Sequence, residues 1–282
     1  MMRDYDLATE AELSEAEQNF DLRMGLPEAI RTKLGMAEAR FAGGVVMSMR
    51  HDPAGYWSKA LGFGFATPIT ADLIHEVCSF FENEQTPMAV LQMSPHVLPD
   101  DWNEICAKAG LSESPPWVKL LCETGVACRR LAEMKDSPSP LRIAGVDQQD
   151  ADTWGAVMMS VFQMPAEGLA QMMSSAVGRP GWHCFGAWDG DELVGTGMLY
   201  ARHGIGRFLG GTTVPHARKR GAHTALLAAR ALAARDLGCR WLVAETRPES
   251  PGTHNPSLRN MYRMGFDALY ERQNWLWRLN GR

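Results

Sequence analysis

The chain has 282 residues, of which 45% are hydrophobic and 22% charged, and its formal net charge is −5 at pH 7. This composition is typical of a globular protein with room for two domains. The acidic balance argues against a general nucleic-acid binder. The absence of any run of eighteen apolar residues argues against a membrane span.

The cellular setting follows from the first residues and from the cysteines. The segment at 1–20 is acidic where a secretory signal would be basic and then apolar. The cysteines form no CxxC pair and have no histidine at zinc spacing, so we expect no metal and read them as buried free thiols. These features predict a cytoplasmic protein, and the six cysteines are Cys78, Cys106, Cys122, Cys128, Cys184 and Cys239.

In the first half, alternating apolar runs predict strands at 45–49, 59–65, 88–93 and 117–121. Helices are predicted at 70–83, where Thr70 is the cap, and at 99–109, which ends at Gly110. The stretch SESPPW at 112–117 is expected to be a loop because it holds two prolines. The stretch at 135–143, with two prolines and two serines, is interpreted as a linker between domains 1–135 and 136–282.

The second half has the order β-αα-βββ-α-β-α-ββ. Its predicted strands are 141–146, 182–188, 193–200, 206–214, 239–245, 266–270 and 275–279, and its helices are 151–164, 168–178, 221–237 and 256–264. The first half repeats part of this order, which favours a degenerate second copy. The methionines at 158, 159, 172 and 173 fit a core, or alternatively an apolar groove.

The loop Arg218-Lys219-Arg220-Gly221 carries the clearest chemical signal. Three consecutive cations precede a long helix, where each opposes the helix dipole by roughly 0.3–1 kcal/mol when exposed. A bound polyanion would remove this penalty, because free N–H groups, the side chains and a glycine that permits close approach would all face phosphate. A solvated basic turn is the alternative interpretation.

This loop resembles the acetyl-CoA motif of the GNAT acetyltransferases, written R/Q-x-x-G-x-G/A. Arg218 and Gly221 match, whereas His223 stands where a small residue is usual. Asn255-Pro256-Ser257, followed by a helix that ends at Gly265-Phe266, resembles the second cofactor motif of the family. The resemblance implies two GNAT-like domains of the α/β (α+β) class, each a mixed, mostly antiparallel sheet flanked by helices, with the first domain degenerate.

The resemblance also implies the cofactor contacts. The strand before the loop would splay from its neighbour and hold the pantetheine arm of acetyl-CoA. Asn255 would contact the cofactor, although a helix N-cap explains that residue equally well. His223 would add a phosphate contact or point outward, and we favour the outward orientation. The implied residues are Thr212, Thr213 and Val214 for the arm, and Arg218, Lys219, Arg220, Gly221, Ala222, His223 and Thr224 for the pyrophosphate.

Catalysis in this family needs a base for the acceptor amine and often a tyrosine that protonates the thiolate. The tyrosine usually lies four residues before the Gly-Phe pair, but Met261 holds that position and Tyr262 follows it. Glu245 is the candidate base, with His183 second. The alternatives are a partly buried aromatic against the sheet for Tyr262, a solvent-facing strand-end carboxylate for Glu245 and a satisfied strand histidine for His183. A water-relayed proton with no dedicated base is also compatible with the chemistry.

Two functions are therefore predicted from the sequence. The first is direct transfer of an acetyl group from acetyl-CoA to a small-molecule or peptide amine, with no metal, nucleic-acid or membrane partner. The second is an acyl-CoA sensor without turnover. The corresponding loop of the first half, at 66–70, has no cation and no glycine, so we expect no CoA there. The trio Arg50-His51-Asp52 is interpreted as a surface turn.

Overall fold

The computed structural model describes residues 4–133 and 139–279. The chain divides into two compact units, which do not coincide with the predicted domain limits. Unit 1 comprises Met1–Val118 and Leu269–Arg282, and unit 2 comprises Lys119–Ala268. Residues 135–138 of the predicted linker lie outside the described residues.

Unit 1 begins with two helices that are absent from the elements predicted from the sequence. Its helices are α1 (Asp4–Met24), α2 (Glu28–Leu34), α3 (Ala71–Asn83) and α4 (Trp102–Ala109), and its first strands are β1 (Met36–Phe41), β2 (Gly44–Met49), β3 (Lys59–Leu61) and β4 (Met88–Gln92). The predicted strand at 59–65 is shorter because Gly62 and Gly64 adopt positive φ. The predicted cap is confirmed, since the Thr70 hydroxyl accepts from the Leu73 N–H at 3.2 Å.

Strand β5 (Ser112–Glu123) includes the SESPPW stretch, so the prediction of a loop there was wrong. Proline lacks a backbone donor, but its carbonyl still accepts hydrogen bonds. Within unit 1, the Asn274 amide donates to the Pro115 carbonyl at 2.5 Å, and Gln273 donates to the Ser114 carbonyl. Side chains thus supply donors along a stretch where the prolines interrupt the backbone ladder.

Unit 2 contains the elements predicted for the second half from its first strand to its last helix, preceded by one further helix. It comprises α5 (Thr124–Glu133), β6 (Arg142–Gly145), α6 (Ala151–Phe162), α7 (Leu169–Ser174), β7 (Trp182–Asp189), β8 (Glu192–Arg202), β9 (Ile205–Thr213), α8 (Ala222–Asp236), β10 (Trp241–Thr246) and α9 (Pro256–Arg263).

The sheet of unit 2 runs β10-β9-β8-β7-β6, with the last residues of β5 beside β10. β6 to β9 pair antiparallel, and β9 pairs parallel with β10. Helix α8 contacts β6, β7, β8 and β9, and helix α6 contacts β8 and β9. The methionines of α6 and α7 at 158, 159, 172 and 173 are all buried, which supports the core interpretation over an apolar groove.

The last strand, β11 (Asp267–Arg278), is continuous where two strands were predicted. Its polar middle is buried in unit 1, because Arg272 is ion-paired with Glu15 at 2.9 Å and with Glu12 at 2.5 Å. The amide of Asn274 is likewise the partner of Gln92, at 2.8 Å. Hydrogen-bonding and ionic partners that are distant in sequence therefore allow polar residues to be buried inside a strand. The strand order in the sheet of unit 1 is β1-β2-β3-β4-β11.

Both units combine a mixed, mostly antiparallel sheet with flanking helices, so the predicted fold class is confirmed. Among residues 4–133 and 139–279, no helix is long and apolar enough to cross a membrane. All six cysteines lie in these ranges as free thiols, and five of them are buried.

Arg272 is the residue of unit 1 whose loss we expect to be most costly. Arg272→Met would leave Glu12 and Glu15 buried without their cation, and should lower the free energy of unfolding by about 3–5 kcal/mol. Urea denaturation followed by tryptophan fluorescence measures this change. Arg278→Met, at an exposed position of the same strand, is the control and should change stability by less than about 0.5 kcal/mol. Equal losses in the two variants would contradict the role given to the buried cluster.

Candidate functional site

The loop between β9 and α8 is shaped by two left-handed residues. Pro215–Ala217 forms a single 3-10 turn after Val214. Lys219 then adopts φ 62° and Gly221 φ 81°, immediately before α8 begins at Ala222. A positive φ is uncommon for a residue with a side chain. The loop therefore holds its basic residues in a defined conformation rather than as an extension of the helix.

The three cations of the loop are not equivalent. Arg220 forms a two-pronged ion pair with Asp189, at the end of β7, and the guanidinium lowers the pKa of that carboxyl group. Arg218 and Lys219 are exposed, and the Arg218 Nε donates to the Thr213 carbonyl at 3.3 Å. Arg220 thus anchors the loop, which leaves two cations facing solvent at the start of α8.

The first turn of α8 keeps its N–H groups available. Its N-cap is Gly221, and over the described part of the chain no side chain caps this helix. The first N–H groups of a helix have no partner within the helix and carry the positive end of its dipole. The segment before β6 supports the loop instead, because the Ser139 hydroxyl donates to the Arg220 carbonyl at 2.9 Å.

Strands β9 and β10 separate close to this loop. Their parallel pairing joins Trp241, Leu242 and Val243 to residues 205–207, and no later pair is found between them among the described residues. On its other side β9 stays paired with β8 as far as Thr213. Beyond these pairs, no bridge joins the last residues of β9 to β10 in the described part of the chain, and we call this unpaired stretch the gap between β9 and β10.

A bulge interrupts the pairing of β8 and β9. Thr196 pairs with Thr212 and Met198 with Leu209, so one residue of β8 faces Gly210 and Gly211. Gly210 adopts φ 60°, and a Cβ there would lie 2.7 Å from the Met158 methyl group. The positive φ favours glycine at this position, where the bulge re-aims the backbone of β9.

The threonines at the end of β9 differ in their surroundings. The Thr212 side chain is buried and its Oγ1 is 2.6 Å from the Thr196 Oγ1, so this residue holds β8 and β9 together. The Thr213 Oγ1 is buried without a partner among the described residues. The side chain of Thr212 is thus structural, and the backbone is what this segment offers to a ligand.

His223 points inward, so the favoured outward orientation was wrong. Its Nδ1 is 3.1 Å from the Asn260 amide nitrogen and its Nε2 is 3.3 Å from the Ser257 hydroxyl, both on α9. In this orientation Asn260 donates to Nδ1, which leaves the proton of the neutral ring on Nε2. Burial, together with the nearby charge of Arg230, lowers the pKa of His223 to about 4.

The candidate base Glu245 has a cationic partner that the sequence analysis did not identify. Its carboxylate accepts from the Lys119 ammonium at 3.2 Å, and the Lys119 side chain is fully buried. Lys119 lies on β5, more than a hundred residues earlier in the chain, so no local pattern indicates the pair. The ion pair holds the carboxylate at a fixed place near the end of β10.

Asn255 is an N-cap, as the alternative interpretation proposed. Its Oδ1 accepts from the Ser257 and Leu258 N–H groups at 3.0 and 3.2 Å. Its amide donates to the Thr246 hydroxyl at 3.0 Å, and its backbone N–H to Glu249 at 2.9 Å. These bonds attach the start of α9 to the end of β10.

The two remaining candidates differ in exposure. Tyr262 is 45% exposed on α9, whereas its neighbour Met261 is 6% exposed and faces the core. His183, on β7, is partly buried, and this burial lowers its pKa. Tyr262 therefore presents much of its surface to solvent at this register of α9.

In unit 1 the features singled out from the sequence have structural explanations. The Asp52 carboxylate accepts from the N–H groups of Ala54, Tyr56 and Trp57, as in a turn. The loop before α3 ends at Thr70, whose own hydroxyl caps the helix. Within the described ranges, no group of three or more His, Cys, Asp or Glu residues is arranged to hold a metal ion.

Comparisons with known proteins show a related family and a shared fold. Residues 155–266 match the model of the Acetyltransferase (GNAT) family, so unit 2 contains a GNAT domain. No curated protein sequence matches the chain.

Solved structures share the fold over most of the chain. A GCN5-related N-acetyltransferase from Kribbella flavida has a TM-score of 0.60 and 13% identity, with 90% of this chain and 94% of that chain covered. A tandem GNAT protein from the clavulanic acid biosynthesis pathway has a TM-score of 0.60 and 14% identity, with coverages of 91% and 87%. A GCN5-related N-acetyltransferase from Sphaerobacter thermophilus has a TM-score of 0.54 and 14% identity, with coverages of 84% and 81%.

The buried His223 predicts a specific pH dependence of stability. The pKa is about 4 in the folded chain and about 6.5 in an unfolded one, so only the unfolded chain takes up a proton as pH falls between these values. The folded state should lose about 2 kcal/mol through this residue between pH 8 and pH 5. His223→Gln keeps the hydrogen-bonding capacity but does not titrate, and should lack this loss.

Urea denaturation of both proteins at pH 8 and pH 5 measures the difference. The control is His216→Gln, because the His216 side chain is 61% exposed and lies beside Glu192. An equal pH dependence of the wild-type protein and His223→Gln would rule out a buried neutral ring.

Proposed function

We propose that the protein is an N-acyltransferase that moves an acetyl group from acetyl-CoA directly to a primary amine. The observation that carries this proposal is the gap between β9 and β10, which leads to an uncapped helix N-terminus with two exposed cations. A strand edge with free backbone groups suits an amide-containing arm, and the helix start suits phosphates.

Acetyl-CoA would bind through charged groups at its pyrophosphate and through backbone hydrogen bonds along its pantetheine arm. Arg218, Lys219 and the N–H groups of Ala222, His223 and Thr224 would receive the pyrophosphate. Gly221, at φ 81°, permits close approach of the backbone. The pantetheine arm would then follow β9 back from Val214 through Thr213 and Thr212, with its amides paired to the open strand edge.

The reaction needs no covalent enzyme intermediate. The amine nitrogen attacks the thioester carbon, the carbon–sulfur bond breaks, and the products are an amide and the CoA thiol. One proton passes overall from nitrogen to sulfur. Glu245, held by Lys119, would take the proton from nitrogen, directly or through water. Tyr262 would return a proton to sulfur, and its exposure makes solvent an equally available donor.

A second candidate function is an acyl-CoA sensor that binds the donor without turnover. The observation that favours it is the register of α9, which buries Met261 at the usual place of the acid and leaves Tyr262 exposed. Calorimetric titration with CoA, together with thiol release from acetyl-CoA over a panel of small amines and peptides, separates the two functions. Binding without release for any acceptor would favour the sensor, and no binding would exclude both.

The two exposed loop cations give a test of donor binding. Arg218→Glu with Lys219→Glu should weaken CoA binding by roughly a hundredfold, because charge-assisted phosphate bonds become repulsive. Stability should stay the same or rise, since acidic residues suit a helix N-terminus. The matched control, Arg129→Glu with Arg130→Glu, makes the same change of charge at two exposed positions of α5. The loop assignment fails if the two double variants bind CoA equally.

The role of Glu245 is tested by Glu245→Gln, which keeps the shape of the side chain and removes its basicity. We expect kcat to fall by roughly 10²–10⁴-fold with little change in the dissociation constant of CoA. Steady-state thiol release and calorimetry measure the two quantities. Glu123→Gln, at an exposed position on β5, is the control. An unchanged kcat would leave water as the carrier of the proton.

A further inference from the structure

Arg230 is an unusual residue for the middle of α8. The helix is rich in alanine and leucine, yet this arginine is 1% exposed and faces the sheet. Among the described residues, no carboxylate lies within ion-pair distance of it. A buried charge without a counter-charge is costly, so the contacts that the guanidinium group makes must offset this cost.

These contacts converge on the bulge of β9. The Arg230 Nη1 donates to the Met198 carbonyl at 3.4 Å and to the Leu209 carbonyl at 3.3 Å, the two residues that pair immediately beside the bulge. The Nε donates to the Leu226 carbonyl at 3.0 Å, within the helix. The guanidinium group also lies over the Phe208 ring, 4.6 Å from its centroid.

Two glycines of β8 and β9 lie against this group. A Cβ on Gly197 would lie 3.0 Å from the Arg230 Nε, and one on Gly211 would lie 3.5 Å from the Nη2. The Nη2 has no hydrogen-bond partner within the described part of the chain. The guanidinium group therefore packs against the bulge, and its Nη2 lies beside Gly211 as a hydrogen-bond donor without an acceptor in the described part of the chain.

Arg230 brings a positive charge to the bulge. Burial lowers the pKa of Arg230 to about 9, which leaves the group charged at neutral pH. The His223 Nε2 lies 3.6 Å from the same Cβ position on Gly211, but its ring is neutral above about pH 5. The charge behind Gly211 is thus available to an anionic oxygen on the other side of the strand.

We propose that Arg230 is a positioning residue for acyl transfer, which fixes the Gly210–Gly211 bulge and places one positive charge behind the strand segment beside the acyl group. The proposal rests on the proposed function, in which phosphates bind at the loop and the arm runs back along β9. The acyl end of the donor then lies toward Gly210 and Gly211. Negative charge develops on the thioester oxygen during attack, and a fixed positive charge nearby stabilises it.

The test compares charge and shape at this position. Arg230→Met keeps the length and apolar stem of the side chain and removes the charge, and should lower kcat by roughly 10²-fold. The dissociation constant of CoA should stay within about twofold, because the loop is intact. Arg230→Lys keeps the charge and loses the fork that spans two carbonyls, so its kcat should lie between those of Arg230→Met and the wild type.

Two controls separate this role from a loss of stability. Leu227→Ala removes buried volume from the same helix, and should lower the melting temperature while kcat measured well below it is unchanged. Hydrogen exchange of the Gly210 and Gly211 amides reports on the bulge without any acceptor, and should be faster in Arg230→Met than in Leu227→Ala.

The outcomes distinguish this inference from the proposed function. Wild-type turnover with an unchanged kcat in Arg230→Met would overturn the inference alone. Equal losses of kcat in the Met and Lys variants, with a parallel loss of CoA binding, would indicate a merely structural residue and also overturn it. Absence of CoA binding by the wild-type protein would remove the proposed function, and the inference with it.

Discussion

The early end of pairing between β9 and β10 is the constraint on which the other features of unit 2 depend. Backbone N–H and C=O groups require partners, and beyond residue 207 β9 has its strand partner on the β8 side. The glycine bulge lies in this same stretch, where it turns the backbone of β9 after its pairing with β10 has ended. Thr212, bonded to Thr196, keeps β9 attached to β8, so the opening does not weaken the hairpin that supports it.

Electrostatics divides the arginines of this region into two roles. Arg220 is exposed enough to be solvated and has its own carboxylate in Asp189, so it fixes the loop and adds little net charge. Arg230 is buried and its partners are carbonyl groups, so its charge is not neutralised within the site. Arg218 and Lys219 remain exposed at the helix start. The positive charge that a ligand would meet is therefore concentrated at two places, one at the loop and one behind the bulge.

Local patterns predicted most of the elements around the site. The hairpin of β7 and β8, the glycine before α8 and the caps Thr70 and Asn255 follow from turn and helix chemistry within a few residues. What failed depended on partners distant in sequence. SESPPW enters a strand because Gln273 and Asn274 supply donors, and β11 is continuous because Arg272 meets Glu12 and Glu15.

In the candidate site, too, features that depend on nearby residues were predicted, and contacts with residues distant in sequence were not. The loop came from a local motif, and the separation of the strands was implied by the family resemblance. The inward turn of His223 depends on Ser257 and Asn260 of α9, and the partner of Glu245 comes from β5. Arg230 did carry a local signal, because a charged residue on the buried face of an Ala- and Leu-rich helix needs a reason to be there.

The two units differ in how the helix after a strand loop begins, and this difference bears on which unit holds a phosphate. In unit 1 the N–H groups at the start of α3 are partly satisfied by the Thr70 hydroxyl, and the loop at 66–70 has no cation. In unit 2 the equivalent position is Gly221, which has no side chain to offer, and cations precede it. A helix that caps itself has no need of an anion, whereas one that begins with glycine and lysine is stabilised by one. The same physical rule thus favours a ligand at α8 and argues against one at α3.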